Sequence, residues 1–188
     1  MEKNKFGVNI SAEVERMIVL KQRFLAETVW DVEHWRGDKM LSKTRDHNIC
    51  TDEGLNALLD IMFHGDTQIT PWYVAIYEDD NDPVAGTTYA VPVYTECTAY
   101  TEAARQEYVE AAASSKVTTN SSNKATFTMN ATKTIHGAAL VGGGTAPTDN
   151  TDVAGGGTMY CGSGFTTPKS VESGDVLKVT ITITGADA

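Results

Sequence analysis

The sequence predicts a mainly β protein. The expected form is a β-sandwich, jelly-roll-like in one version, with one amphipathic helix laid over it and a helical N-terminal extension. Three observations lead there. Threonine is abundant, and 20 of its 25 occurrences lie in residues 87–188; β-branched Thr at that density suits strands with a polar face. Apolar and polar residues alternate in two long runs, Ala125, Phe127, Met129, Ala131 and Leu177, Val179, Ile181, Ile183, which is the period of half-buried strands. Charge is concentrated early: residues 1–86 hold 9 Lys/Arg and 16 Asp/Glu. A charged, partly helical start is thus followed by a Thr/Gly/Ala-rich β part. Short strands plus one covering helix form a two-layer fold, and 188 residues suit one such domain.

Taken in order, residues 11–25 read as a helix. Ser11 is a good N-cap, Glu13 and Glu15 suit the positive end of the helix dipole, and Val14, Met17, Ile18 and Leu25 fall near one stripe. Val29–Trp35 and Met40–Cys50 read as a hairpin around Arg36-Gly37-Asp38-Lys39. Leu55, Leu58, Leu59, Met62 and Phe63 stand at i, i+3, i+4, i+7 and i+8, with Thr51 or Asp52 as cap and Gly65 as stop. They predict a helix over 52–64 that buries Leu58 and Leu59 against the sheet. Trp72–Tyr77 is apolar on both faces, as a central strand requires. Tyr89–Thr95 is an edge-strand candidate because of Pro92, and 105–111 a strand after a short turn. Ile135–Val141 is a strand with Gly137 thinning its middle. The triplets Gly142–Gly144 and Gly155–Gly157 bracket a surface loop. The chain divides into an N-terminal arm, 1–27, and one β-rich domain, 28–188.

Charge and cysteine content narrow the function. The net charge of -10 repels phosphate backbones and anionic lipid, which argues against nucleic acid or a membrane as partner. No apolar run after Met1 is long enough for a signal peptide, and the longest run anywhere has six residues. Cys50, Cys97 and Cys161 are odd in number and far apart, so reduced thiols are expected rather than a disulfide framework or a zinc site.

The motifs that could carry chemistry are incomplete. His34, His47, His64 and His136 have no metal-ligand spacing. Cys161-Gly162-Ser163-Gly164 lacks both outer glycines of a nucleophile elbow and reads as a glycine turn between strands. Neither glycine triplet is followed by the Lys of a phosphate loop. Glu78-Asp79-Asp80-Asn81-Asp82 offers oxygen ligands for Ca²⁺, but lacks the glycine and distal Glu of a calcium loop and reads better as a solvated turn. Arg36-Gly37-Asp38 matches an integrin-binding tripeptide but reads better as a hairpin turn. Asn9, Asn120 and Asn130 open Asn-x-Ser/Thr triplets of the kind chance supplies in a Ser/Thr-rich chain. Neither catalytic residues nor a cofactor or metal is expected.

One further pattern is the succession of Asp46-His47-Asn48-Ile49-Cys50, Thr51–Asp60 and Trp72–Tyr77, then Tyr94-Thr95-Glu96, Tyr100, Arg105, Phe127 and Ser173-Gly174-Asp175-Val176-Leu177. Over about residues 28–184 this resembles a family of small structural proteins encoded in the virion gene blocks of tailed bacteriophages. Cys50 and Ala75 depart from the family's usual β-branched or small residue and glycine. The resemblance implies a non-enzymatic capsid decoration or cement protein of the virion, homo-oligomeric, with the major capsid protein or other virion proteins as partners. Its rival is a tail, neck or fibre component that binds host or glycan. The N-terminal arm then reads as a docking element: Val14, Met17 and Ile18 supply an apolar stripe, and Arg16, Lys21 and Arg23 supply positive charge in an acidic protein. The alternative is that the arm packs on its own sheet.

Overall fold

The computed structural model describes residues 24–143 and 156–187. The strands are β1 (Phe24–Arg36), β2 (Lys39–His47), β3 (Ile49–Cys50), β4 (Trp72–Tyr77), β5 (Gln106–Glu107), β6 (Val117–Thr119), β7 (Ala125–Thr128), β8 (Lys133–Gly142), β9 (Thr158–Val171) and β10 (Asp175–Asp187). Helix α1 (Asp52–Leu59) continues as a π-helical turn, Asp60–His64. Two antiparallel five-stranded sheets face each other in a β-sandwich. One runs β2-β1-β10-β6, with β7 also on β10; the other runs β3-β9-β8-β4-β5.

The alternating runs become strands with the expected inner face. Ala125, Phe127, Met129, Leu177, Val179 and Ile181 are buried and meet Trp30, Val32, Val74, Ile76, Ile135 and Leu140 in the core between the sheets. The hairpin of β1 and β2 turns on Gly37-Asp38, with Gly37 at φ +55°. That is the first central position, which a two-residue hairpin turn of the II′ kind assigns to glycine.

Strand β4 shows why the second sheet is apolar on both faces. Val74 and Ile76 point into the core. Ala75 and Tyr77 point the other way, into a second cluster with Tyr89, Tyr94, Ala139, Val141 and Met159. The segment 78–105 is the cover of that outer face. Tyr94 stacks on Tyr77 at 4.6 Å between ring centres. Arg105 pins the cover, bonding Glu96 through Nε (2.6 Å) and Nη2, and Tyr89 Oη through Nη1 (3.0 Å). Burial opposes the charge on Arg105, but the Glu96 carboxylate outweighs it and raises its pKa.

Several expectations are corrected. Phe24 and Leu25 belong to β1 and pair with Asp187 and Ala186, so Leu25 is part of a strand rather than of a helical stripe over 11–25. Residues 24–27, placed with the arm, are likewise strand. Strand propensity and the continuous pairing of β1 with β10 from Phe24 to Arg36 outweigh the helical pattern there. Tyr89–Thr95 is irregular, because Tyr89 and Tyr94 serve the cover rather than a ladder. The strand expected near 105–111 is only Gln106–Glu107. Cys161–Gly164 is the middle of β9, not a turn. Its glycines make room for the cover: a Cβ on Gly162 would lie 2.5 Å from Pro83, and one on Gly164 2.1 Å from the Asp82 carboxylate. The arm residues 1–23 and the loop between the glycine triplets fall outside the described residues.

At the hairpin end, Asp175 ties the first sheet together. Its carboxylate accepts from Arg36 Nε (2.7 Å) and Nη2 (2.9 Å), from His34 Nε2 (2.8 Å) and from the Glu172 backbone N–H (2.9 Å). The Arg36 hydrogen bonds, against the opposing effect of burial, hold its pKa well below the usual carboxylate range. A group depressed on folding stabilises the fold above its unfolded pKa, about 4 for Asp, and loses that contribution as the pH falls further. Asp175→Asn is therefore expected to lower stability at neutral pH. Urea melts of the two proteins should converge as the pH is taken below about 4.

Candidate functional site

The helix is anchored by its first turn. Thr51 caps it, its Oγ1 accepting from Gly54 N–H (3.0 Å) while donating to the Met159 carbonyl. The Thr51 N–H bonds Tyr160 O (3.0 Å) and the Asp52 N–H bonds Ala85 O (2.8 Å). Glu53 Oε2 accepts from the N–H groups of Tyr89 (2.9 Å) and Met159 (2.7 Å). Gly54 lies flat on β9: a Cβ there would be 2.5 Å from the Tyr160 backbone. This close approach, rather than the leucine stripe, seats α1 on the sandwich.

The far end of the helix stands clear of the sheets. Leu58 is half-buried, but Leu59 is 52% exposed, Met62 65% and Phe63 82%. The expected burial of Leu59 is therefore corrected: the helix meets β9 through Thr51 and Gly54, and its second half projects beyond that contact. The π turn widens the helix after Leu59, and Gly65 at φ +84° closes it, as the stop signal predicts. Leu58, Leu59, Met62 and Phe63 line one apolar surface of the helix. Leu58 also lines a hollow of about 300 Å³ that runs to Ile69, Trp72, Tyr108, Tyr160 and Ile183, with Glu107 and Glu110 in its wall. Leu59, Met62 and Phe63 thus form an exposed apolar group at one end of the helix.

The groups that sequence singles out for chemistry are dispersed by the fold. His34 goes to Asp175, His47 to Glu27 (3.2 Å) and His136 to Asp80 (3.6 Å), while His64 ends the exposed helix. The acidic run is also divided. Glu78 pairs with Lys133 (2.6 Å), Asp79 Oδ2 accepts from the Thr95 N–H (2.8 Å) and from Asn81 Nδ2 (3.2 Å), and Asp82 Oδ1 accepts from Tyr77 Oη (2.9 Å). Among the described residues no group of three His, Cys, Asp or Glu is placed to hold a metal ion. The arginine of Arg36-Gly37-Asp38 is engaged by Asp175. Ser163 is buried, its Oγ donating to His47 O (3.4 Å).

The three thiols are free. Cys50 and Cys161, far apart in sequence, are direct partners across β3 and β9. That proximity depends on strand register and leaves no sign in their spacing. Burial raises the pKa of Cys50, Cys97 and Cys161, which keeps them as poorly nucleophilic thiols.

The partner-binding residues expected in the arm, Val14, Arg16, Met17, Ile18, Lys21 and Arg23, lie outside the described residues. The exposed end of α1 is the surface that sequence reading missed, since its apolar spacing is the same whether the stripe meets a sheet or a partner. No family model and no curated protein matches this chain.

Two substitutions separate the anchored and exposed halves of the helix. Gly54→Ala is expected to destabilise the fold by more than about 1 kcal/mol despite alanine's better helix propensity, because its Cβ meets backbone. Leu59→Ala is expected to cost less than about 1 kcal/mol, well under the cost at a buried leucine. Urea melts of both variants check the assignment.

Proposed function

We propose that this protein is a non-enzymatic structural component of a tailed-phage virion, a decoration or cement protein that stabilises contacts between capsid subunits. The observation that supports this reading most is the exposed apolar end of α1, rigidly anchored at Thr51–Gly54 and uncovered at Leu59, Met62 and Phe63. A surface of this kind favours burial against protein. The order of motifs in the sequence, which resembles virion structural proteins, points to the particle as the place of burial. Partners are then the major capsid protein, other virion proteins or further copies of this chain. Each contact can be modest, because many copies on one shell add their interfaces together.

The rival reading, a host- or glycan-binding tail or fibre part, would be favoured by exposed aromatic side chains in loops. Among the described residues the Trp and Tyr side chains are buried or half-buried, so this reading draws no support from them.

Quantitative protein composition of purified particles tests the proposal. Copies on the order of hundreds on the shell are expected for a decoration protein; about six to twelve at one vertex would instead indicate a neck or tail part. Absence from intact particles would overturn both.

A further inference from the structure

The hollow of about 300 Å³ beside α1 is walled by both sheets. We propose that it receives an apolar anchor side chain of a partner protein, while a lysine or arginine next to that anchor is held by Glu107 and Glu110 at the rim. The inference deepens the assembly reading and rests on it, since it specifies the chemistry of the partner segment.

The depth of the hollow is apolar. Trp72, Leu140 and Tyr160 reach it from β4, β8 and β9 of the second sheet, and Ile183 from β10 of the first. Leu140 and Tyr160 are buried members of the sandwich core, so the hollow ends on core side chains. Trp72 and Tyr160 meet edge to face, with ring centres 5.9 Å apart. The volume lies at the lower end for ligand pockets, the scale of one anchoring group. Pockets of this kind, filled by an apolar or aromatic anchor, concentrate the binding energy of protein interfaces.

The rim is anionic. Among the described residues, the charged side chains that line the hollow are Glu107 and Glu110, both exposed. Neither pairs with a described Lys, Arg or His. They flank Tyr108, whose N–H bonds Trp72 O (2.8 Å) and whose Oη donates to Ile181 O (3.5 Å). Just beyond them, Ala111 O accepts from Thr118 Oγ1 (2.8 Å). The segment carrying both carboxylates is thus tied to each sheet. A rim built in advance limits the ordering cost of binding.

An apolar depth under a carboxylate rim selects an apolar residue and a cation that are neighbours. An acidic residue beside the anchor is repelled, which makes the rim a device for specificity. The hollow is also continuous with the helix surface: Leu58 lines both, and Leu59, Met62 and Phe63 extend the apolar area outward. That continuity favours a protein segment, which runs on over the helix, above a free amine. The net charge of -10 favours a basic surface on a different protein above a second copy of this chain.

The test titrates two end-blocked tetrapeptides, Phe-Lys-Leu-Leu and Phe-Glu-Leu-Leu, into the isotope-labelled full-length chain and follows amide shifts by NMR. The lysine peptide is expected to shift Trp72, Leu140 and Ile183 and to bind about tenfold more tightly than the glutamate peptide. The double variant Glu107→Gln, Glu110→Gln changes two exposed side chains. It is expected to keep the Tm and to bring the two affinities within about twofold. Absence of shifts at the three residues, equal binding of both peptides, or a preference unmoved in the double variant would each overturn the proposal. Phenethylammonium binding as tightly as the lysine peptide would overturn the protein segment in favour of a free amine. Failure of the virion reading itself would appear separately, as absence of the protein from particles.

Discussion

The two-sided burial of the second sheet is the constraint on which the rest of the structure depends. Val74 and Ile76 on one face of β4 fill the sandwich core, and Ala75 and Tyr77 on the other face must also leave water. The first sheet can cover only one of these faces. The other is covered by the long irregular segment after β4, which carries Tyr89 and Tyr94 onto Tyr77, Val141 and Met159. Such a cover holds only if its own polar groups are satisfied, and Glu96 and Arg105 meet that demand beneath it. Close approach has a steric condition too. Gly137, Gly162 and Gly164 stand where any side chain would strike Tyr77, Pro83 or Asp82.

The same cover determines how the helix sits. Ala85 and Tyr89, both in the cover, bond Asp52 and Glu53 at the helix start. Thr51, Glu53 and Gly54 tie that turn to β9 at Met159 and Tyr160. Cover, helix start and second sheet therefore form one polar and steric joint. Beyond it Leu58 is half-buried, and Leu59, Met62 and Phe63 remain at the surface.

Buried carboxylates tie separate elements of the fold together. Asp175 gathers His34, Arg36 and the turn at Glu172. Asp46 accepts from the Thr166 N–H and Oγ1 at 2.8 and 2.6 Å, and so joins β2 of one sheet to β9 of the other. Both carboxylates are structural ties.

The sequence alone determined what local periodicity and turn chemistry can encode. The β class, the inner faces of β7 and β10, the hairpin on Gly37-Asp38, the exact span of β4 and the run of helix from Asp52 to His64 were all legible. Each is dictated within a few residues by alternation, a cap or a glycine. Tertiary structure decided what those elements touch. Apolar spacing at Leu58, Leu59, Met62 and Phe63 marks a helix but does not say whether a sheet lies beneath it. Tyr89–Thr95 has strand composition, yet its tyrosines are claimed by the outer face of β4. Leu25 fits a helical stripe, yet pairing with β10 draws it into β1. Cys50 and Cys161 meet only through the register of β3 on β9. In each case the competing contact comes from residues distant in the chain, and its energy exceeds the local preference that a single sequence expresses.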